Sequence, residues 1–251
     1  MPSGYYDPSR SKHHANWVWH TKSHNCATLS DASQLMQSHD SVGAVVNAFE
    51  DDRLVYFSGR ADGSYPGRAV RYRRHVTIDK MTNGFLMIDE HVAPPRVYSA
   101  LQWNIHSWNE IEKCDEDRTF RIEREGCGLT GTFLCHEDSF FVMREGWDPP
   151  PTPTKSTLQW YPQYHLRFSP TVIGSERYLG ILLQPRRLCD PMMDVDRWRE
   201  EDGREAAALG TSTYTIDLPG DPAGSIARLS VDDQSYVIDD DGIHKAESDR
   251  R

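Results

Sequence analysis

Long apolar runs are absent from this 251-residue chain. Runs such as Ile181 to Leu183 fall far short of the roughly 20 residues that a membrane helix needs, so no membrane partner is expected. Basic charge is in deficit as well: 28 Lys and Arg stand against 38 Asp and Glu, for a net charge of −10. Phosphate backbones are held by a surplus of Lys and Arg, so no nucleic-acid partner is expected. Cysteine is sparse. Cys26, Cys114, Cys127, Cys135 and Cys189 are odd in number and irregularly spaced, which fits neither a dense disulfide scaffold nor a CxxC zinc ribbon. Free thiols are expected, with Cys127 to Cys135 across a hairpin as the one bridge left open. The first thirty residues have no apolar stretch behind a basic start, so no export signal is expected from them. Helical periodicity is nearly absent.

Aromatic bulk is plentiful. Seven Trp, eleven Tyr and eight Phe can fill a core between sheets. From Ala44 onward, short runs rich in Val, Ile, Tyr and Phe are each closed by Gly, Pro, Asn or Asp, the rhythm of an antiparallel sandwich. Strands are expected at 44–50, 54–59, 69–79, 85–91, 97–106, 119–124, 129–134 and 140–144, then at 164–169, 177–184, 212–218, 226–231 and 236–239. A hairpin is expected to turn at Thr82-Asn83-Gly84, where Asn and Gly accept positive φ. Asp148-Pro149-Pro150-Pro151-Thr152-Pro153-Thr154 cannot pair in a sheet, because proline lacks the donor and fixes φ. The pattern therefore predicts an all-β fold, a two-layer antiparallel β-sandwich with room for a second, smaller sheet after a Pro-rich connector. Its parts are a sandwich core with a His-rich N-terminal loop at 1–147, the connector at 148–155 and a closing β-sheet region at 156–251. Within the last part, 190–209 is expected as a short helix or ordered loop, with Gly203 interrupting it.

Three groups of residues invite chemistry. Arg60, Arg68, Arg71, Arg73 and Arg74 gather positive charge in an acidic chain. Strand alternation sets Arg71, Arg73 and His75 on one face, where guanidinium forks suit a carboxylate; a solvated face paired with nearby acids is the plainer alternative. Trp103, Trp108, Trp147 and Trp160 could stack on sugar rings or simply fill the core. The N-terminal loop offers His13, His14, His20 and His24 together with Asp7 and Cys26.

Gly4-Tyr5-Tyr6-Asp7, then Asn16-Trp17, then Thr21-Lys22-Ser23-His24-Asn25, followed by Arg73-Arg74-His75-Val76 on one expected strand and Ile88-Asp89 on the next, resembles the heparinase II/III-like polysaccharide lyases in order as well as content. Gln163-Tyr164-His165-Leu166 and Leu182-Leu183-Gln184-Pro185 look like that family's closing sheets. The resemblance implies a β-sandwich that packs, in full-length enzymes, on a helical toroid, and that acts on uronic-acid polysaccharides by β-elimination. It implies an acidic polysaccharide or oligosaccharide as partner, a toroid domain or subunit as a second one, and often a periplasmic or extracellular setting. His24 and Tyr6 are the catalytic candidates, and Arg71, Arg73 and His75 the substrate-binding ones. His24 is also the candidate ligand for a structural zinc, with His13, His14 or His20 as partners. The family's H-x-H-x-D segment is not found in the sequence, so the isolated chain is expected to be inactive. A non-catalytic carbohydrate-binding or structural module is the alternative.

Overall fold

A computed structural model describes residue 7 and residues 10–151, 163–220 and 224–246. The strands before the connector are β1 (Ala27–Leu29), β2 (Ala44–Glu50), β3 (Leu54–Arg60), β4 (Arg71–Asp79), β5 (Phe85–Val92), β6 (Leu101–Ser107), β7 (Ile111–Cys114), β8 (Thr119–Arg124), β9 (Cys127–Leu134) and β10 (Ser139–Glu145). After it come β11 (Tyr164–Pro170), β12 (Glu176–Arg187), β13 (Val195–Arg199), β14 (Glu205–Leu209), β15 (Ser212–Ile216), β16 (Ser225–Val231), β17 (Gln234–Asp239) and β18 (Gly242–Lys245). Among the described residues no helix is long and apolar enough to cross a membrane.

All pairings between these strands are antiparallel. They make a four-stranded sheet in the order β1-β6-β11-β10, an eight-stranded sheet in the order β2-β3-β4-β5-β12-β9-β8-β7, and a six-stranded meander from β13 to β18. The eight-stranded sheet lies between the other two. Strand alternation explains how: on β12, Leu179, Ile181 and Leu183 join Trp103, Phe133 and Phe168 in the core against the four-stranded sheet. Tyr178 and Leu182 point the other way and join Leu54, Ile88, Tyr214 and Ile238 in the core against the meander. The first of these cores is the expected sandwich, and the meander is the smaller sheet.

Two expectations are corrected. The connector does not separate two groups of strands, because β10 before it pairs with β11 after it, and β12 then inserts between β5 and β9. Residues 152–155 of the connector, and 156–162 after it, lie outside the described residues. Nor do residues 190–209 form a helix: β13 and β14 pair there, with Val195 opposite Leu209 and Arg199 opposite Glu205. Ala206, Ala207 and Leu209 are fully buried, the last two among meander and sandwich side chains, and that burial overrides the helical preference of an alanine run. Gly203 closes the turn at φ 91°.

The expected hairpin joins β4 to β5, and Asn83 does take positive φ, at 56°. Gly84 serves differently: a Cβ there would stand 2.8 Å from Leu209 Cδ2, so glycine lets the hairpin tip approach the meander. All five cysteines are free thiols.

Candidate functional site

The segment from His13 to Ser33 lies across the four-stranded sheet as two short turns, His14–Val18 and Thr21–Ser23, leading into β1. Its anchors are polar. The His20 ring nitrogen Nδ1 accepts from the Lys22 backbone N–H at 3.2 Å. Thr21 Oγ1 meets Ser33 Oγ at 2.9 Å and accepts the Gln34 N–H at 2.8 Å. Asn25 Oδ1 accepts the His106 backbone N–H on β6 at 2.7 Å. Asn25, next to His24 in the sequence, thus fastens the loop to the sheet.

His24 is half-buried at the wall of an open hollow of about 600 Å³, shared with Thr21, Cys26, Gln34 and Met36. Its Nε2 lies 3.2 Å from the Val18 carbonyl, which can only accept, so Nε2 carries the proton and Nδ1 keeps its lone pair. Burial lowers the His24 pKa below the ordinary histidine value, opposed by the Val18 hydrogen bond. The imidazole is neutral near pH 7, as a general base has to be.

The described residues do not by themselves assemble a zinc site around His24. A structural site needs four converging ligands, and among the described residues no group of three or more His, Cys, Asp or Glu is placed to hold a metal ion. The candidates turn to other partners: His13 Nδ1 to the Pro149 carbonyl at 2.6 Å, His14 edge-on to Trp19 at 4.5 Å, and His20 to its own turn. Cys26 Sγ donates to the Thr21 carbonyl, and burial pushes its pKa up to about 11, so it stays a thiol. Asp7 is buried, and Tyr5, Tyr6 and Trp160 lie outside the described residues.

Arg71, Arg73 and His75 share one face of β4, but it is the face toward the meander. Arg71 Nε lies 2.7 Å from Glu90 Oε1, and its Nη1 lies 2.8 Å from Asp240 Oδ1. Arg73 Nη1 donates to the Asp240 carbonyl at 2.9 Å. His75 is buried, with Tyr56 Oη 2.9 Å from Nδ1 and Glu90 Oε2 3.5 Å from Nε2. The eight-stranded sheet therefore stands between this cluster and His24, and the two do not line a common cleft. On the opposite face, Arg74 donates twice to buried Asp89, at 2.8 and 2.9 Å, and lies 4.8 Å over the Trp103 ring. Trp103 donates to the same carboxylate. That is a core role for Trp103. Trp108 and Trp147 are half-buried, 6.5 Å apart and edge to face.

A pair of histidines had no signal in the sequence. His106 on β6 and His165 on β11 are direct cross-strand neighbours, with rings stacked at 4.3 Å and the edge of Trp17 against both at 5.7 Å. His106 Nε2 donates to the Lys22 carbonyl at 2.8 Å and His165 Nε2 to Asn104 Oδ1 at 3.1 Å. Burial lowers both pKa values, to about 2 for His106 and about 4 for His165. With 58 residues between them in the chain, only the β6–β11 register could have revealed the pair.

Fold and loop together define an antiparallel β-domain of sandwich type, carrying a histidine at an open hollow. The chain belongs to the heparinase II/III-like, C-terminal family, whose model matches residues 1–205. Among solved structures, the heparan sulfate lyase HepC from Pedobacter heparinus is 12% identical, with a TM-score of 0.59 over 97% of this chain and 33% of that one. The heparinase III BT4657 gene product is 15% identical, with a TM-score of 0.63 over 97% of this chain and 34% of that one. At such identities the likeness is one of fold, and it includes the meander beyond residue 205. This chain spans about a third of the length of those lyases. No curated protein sequence matches it.

Proposed function

We propose that this chain is the β-sandwich part of a polysaccharide lyase that cleaves a uronic-acid-containing polysaccharide by β-elimination, its active centre completed by a helical toroid domain or subunit. The observation that carries this reading is the neutral imidazole of His24, its Nδ1 lone pair free of the Val18 bond, at the wall of an open hollow. In β-elimination a base takes the proton from C5 of the uronate, and the C4–O bond breaks. A double bond forms between C4 and C5, and the leaving oxygen receives a proton from an acid. His24 suits the first task. Tyr6 remains the candidate acid, and neutralisation of the substrate carboxylate falls to groups outside this hollow, since Arg71 and Arg73 lie behind the sheet and are held by Glu90 and Asp240.

The test is the ultraviolet absorbance of unsaturated uronate after incubation with heparan sulfate and with alginate, for the chain alone and with a separately produced helical part. No product alone, and product with the helical part that disappears in His24→Ala, is the expected result. Turnover by the chain alone would mean that the centre is complete without a toroid. Silence in both arms would favour a non-catalytic carbohydrate-binding or structural module.

A further inference from the structure

The loop that carries His24 has a second side. Val18, Trp19, Thr21 and His24 face the hollow already described, whereas Trp17, His20 and Lys22 face a separate cleft of about 290 Å³ whose other wall is Arg144 on β10 and His165 and Arg167 on β11. Three cations line this cleft. Asp31 is ion-paired with Arg167, and Asp148 lies 3.2 Å from Arg144. Three cations against two carboxylates leave the cleft at 3 − 2 = +1, on a chain whose net charge is −10. The Arg144–Asp148 pair is exposed on both sides, so it contributes little and exchanges readily for another carboxylate. Lys22 has no carboxylate within ion-pair distance among the described residues; its ammonium stands 5.6 Å from the Trp17 ring.

The inner wall has polar atoms with nothing to bond. Trp17 is 2% exposed and His165 7%. Trp17 Nε1, a donor, and His165 Nδ1 have no hydrogen-bond partner among the described residues. The protein fixes the sense of the second atom. Asn104 uses its amide nitrogen on the Cys26 carbonyl and Thr28 Oγ1, so its oxygen accepts from His165 Nε2, and Nδ1 is left as an acceptor. A hydroxyl can accept from Trp17 Nε1 or donate to His165 Nδ1. Leaving such atoms buried and unpaired is unfavourable, and a ligand bearing a hydroxyl beside an anionic group would relieve it.

We propose that the cleft between the Trp17–Lys22 turn and strands β10 and β11 is a second saccharide site, which takes an acidic sugar unit with its hydroxyl toward Trp17 and His165 and its carboxylate or sulfate toward Lys22 and Arg144. The polymer it belongs to rests on the lyase reading above; the cleft itself is distinct from the His24 hollow. It would hold the chain on a polysaccharide away from the bond being broken.

Calorimetric titration of the full chain with heparan sulfate oligosaccharide, with the matching neutral oligosaccharide and with inorganic sulfate tests this. The acidic oligosaccharide is expected to bind, and Lys22→Gln with Arg144→Gln to weaken it about tenfold, the 1.4 kcal/mol step that losing charge-assisted contacts gives. Both replacements are at the surface, so folding is preserved. His165→Gln is expected to weaken it as well, whereas His24→Ala leaves this binding unchanged. Binding lost in His24→Ala and kept in the cleft variants would overturn the second site and leave the lyase reading standing. Sulfate bound as tightly as the oligosaccharide would reduce the cleft to an ion site and overturn the sugar assignment. No binding of any probe would overturn the second site, while the lyase reading stands or falls on the unsaturated-uronate assay with the helical part.

Discussion

The stacked His106 and His165 make stability depend on pH in a defined window. Both native pKa values, about 2 and about 4, lie below the ordinary value of 6.5. The unfolded chain therefore takes up protons first as pH falls, so stability is full above 6.5 and is lost from there down toward the native values. At about pH 5 each imidazole is charged in the unfolded chain and neutral in the native one. The gap is about 1.5 pH units, or about 2 kcal/mol per histidine and about 4 kcal/mol for the pair. Against the 5–15 kcal/mol total of an ordinary domain, that is a large share. Burial lowers the pKa of His20, His24 and His91 too, in the same sense. Asp51 and Asp79, held below the usual carboxylate range by hydrogen bonds that outweigh their burial, act only at more acid pH. Urea unfolding followed by tryptophan fluorescence at about pH 7.5 and about pH 5 measures the loss. The variant carrying His106→Gln and His165→Gln keeps hydrogen-bonding side chains but cannot titrate, and should lose about 4 kcal/mol less than the parent over the same interval. An equal loss in parent and variant would refute the assignment of the pH dependence to this pair.

Three further outcomes are expected. Asp89→Asn should cost about 1.5–3 kcal/mol in urea unfolding, because it removes the buried carboxylate that takes two hydrogen bonds from half-buried Arg74 and a third from Trp103; a loss below about 0.5 kcal/mol would show that this network does not hold the core together. Gly131→Ala should cost about 1–3 kcal/mol, since its Cβ would stand 2.1 Å from Phe120 Cε1, and Phe120→Leu should recover part of that loss. Cys127 and Cys189 are exposed and should react with a chromogenic disulfide reagent in the native protein, Cys26, half-buried with its thiol pKa pushed up by burial, should react more slowly, and buried Cys135 should react only on unfolding; prompt reaction of Cys135, measured by peptide mapping, would contradict its packing.

The strands before the connector were legible because they alternate. Residues 44–50 and 119–124 match β2 and β8 end to end, since each is a run of strand-forming residues closed by turn residues, Asp51-Asp52 after the first and Gly126 after the second. Short strands escaped: β1 is three residues and β7 four, too few for a period to register. Strands β13 and β14 escaped because Ala206 to Ala208 reads as helix until its neighbours are known. At the site, motif order located His24 and β-alternation gave the shared face of Arg71, Arg73 and His75. What those residues face was hidden. The acids that hold the arginines include Asp240, more than 160 positions further along the chain, and the His106–His165 pair and the cleft at Lys22 and Arg144 arise from register and layer packing.

The place of β11 and β12 governs how the chain can be made. Each of the two sandwich sheets is assembled from halves that come earlier in the sequence, and the joining strand arrives late in both: β11 lies between β6 and β10, and β12 between β5 and β9. During synthesis from the N-terminus, the first ten strands therefore emerge as partial sheets with four additional open edges, and residues 164–187 close all four at once. Unpaired edges recruit other strands, including those of neighbouring chains, and pairings this distant in sequence form slowly. A nascent chain stalled before residue 164 is thus an aggregation hazard that the finished protein is not, and a chaperone acting on this protein would be needed most in that interval.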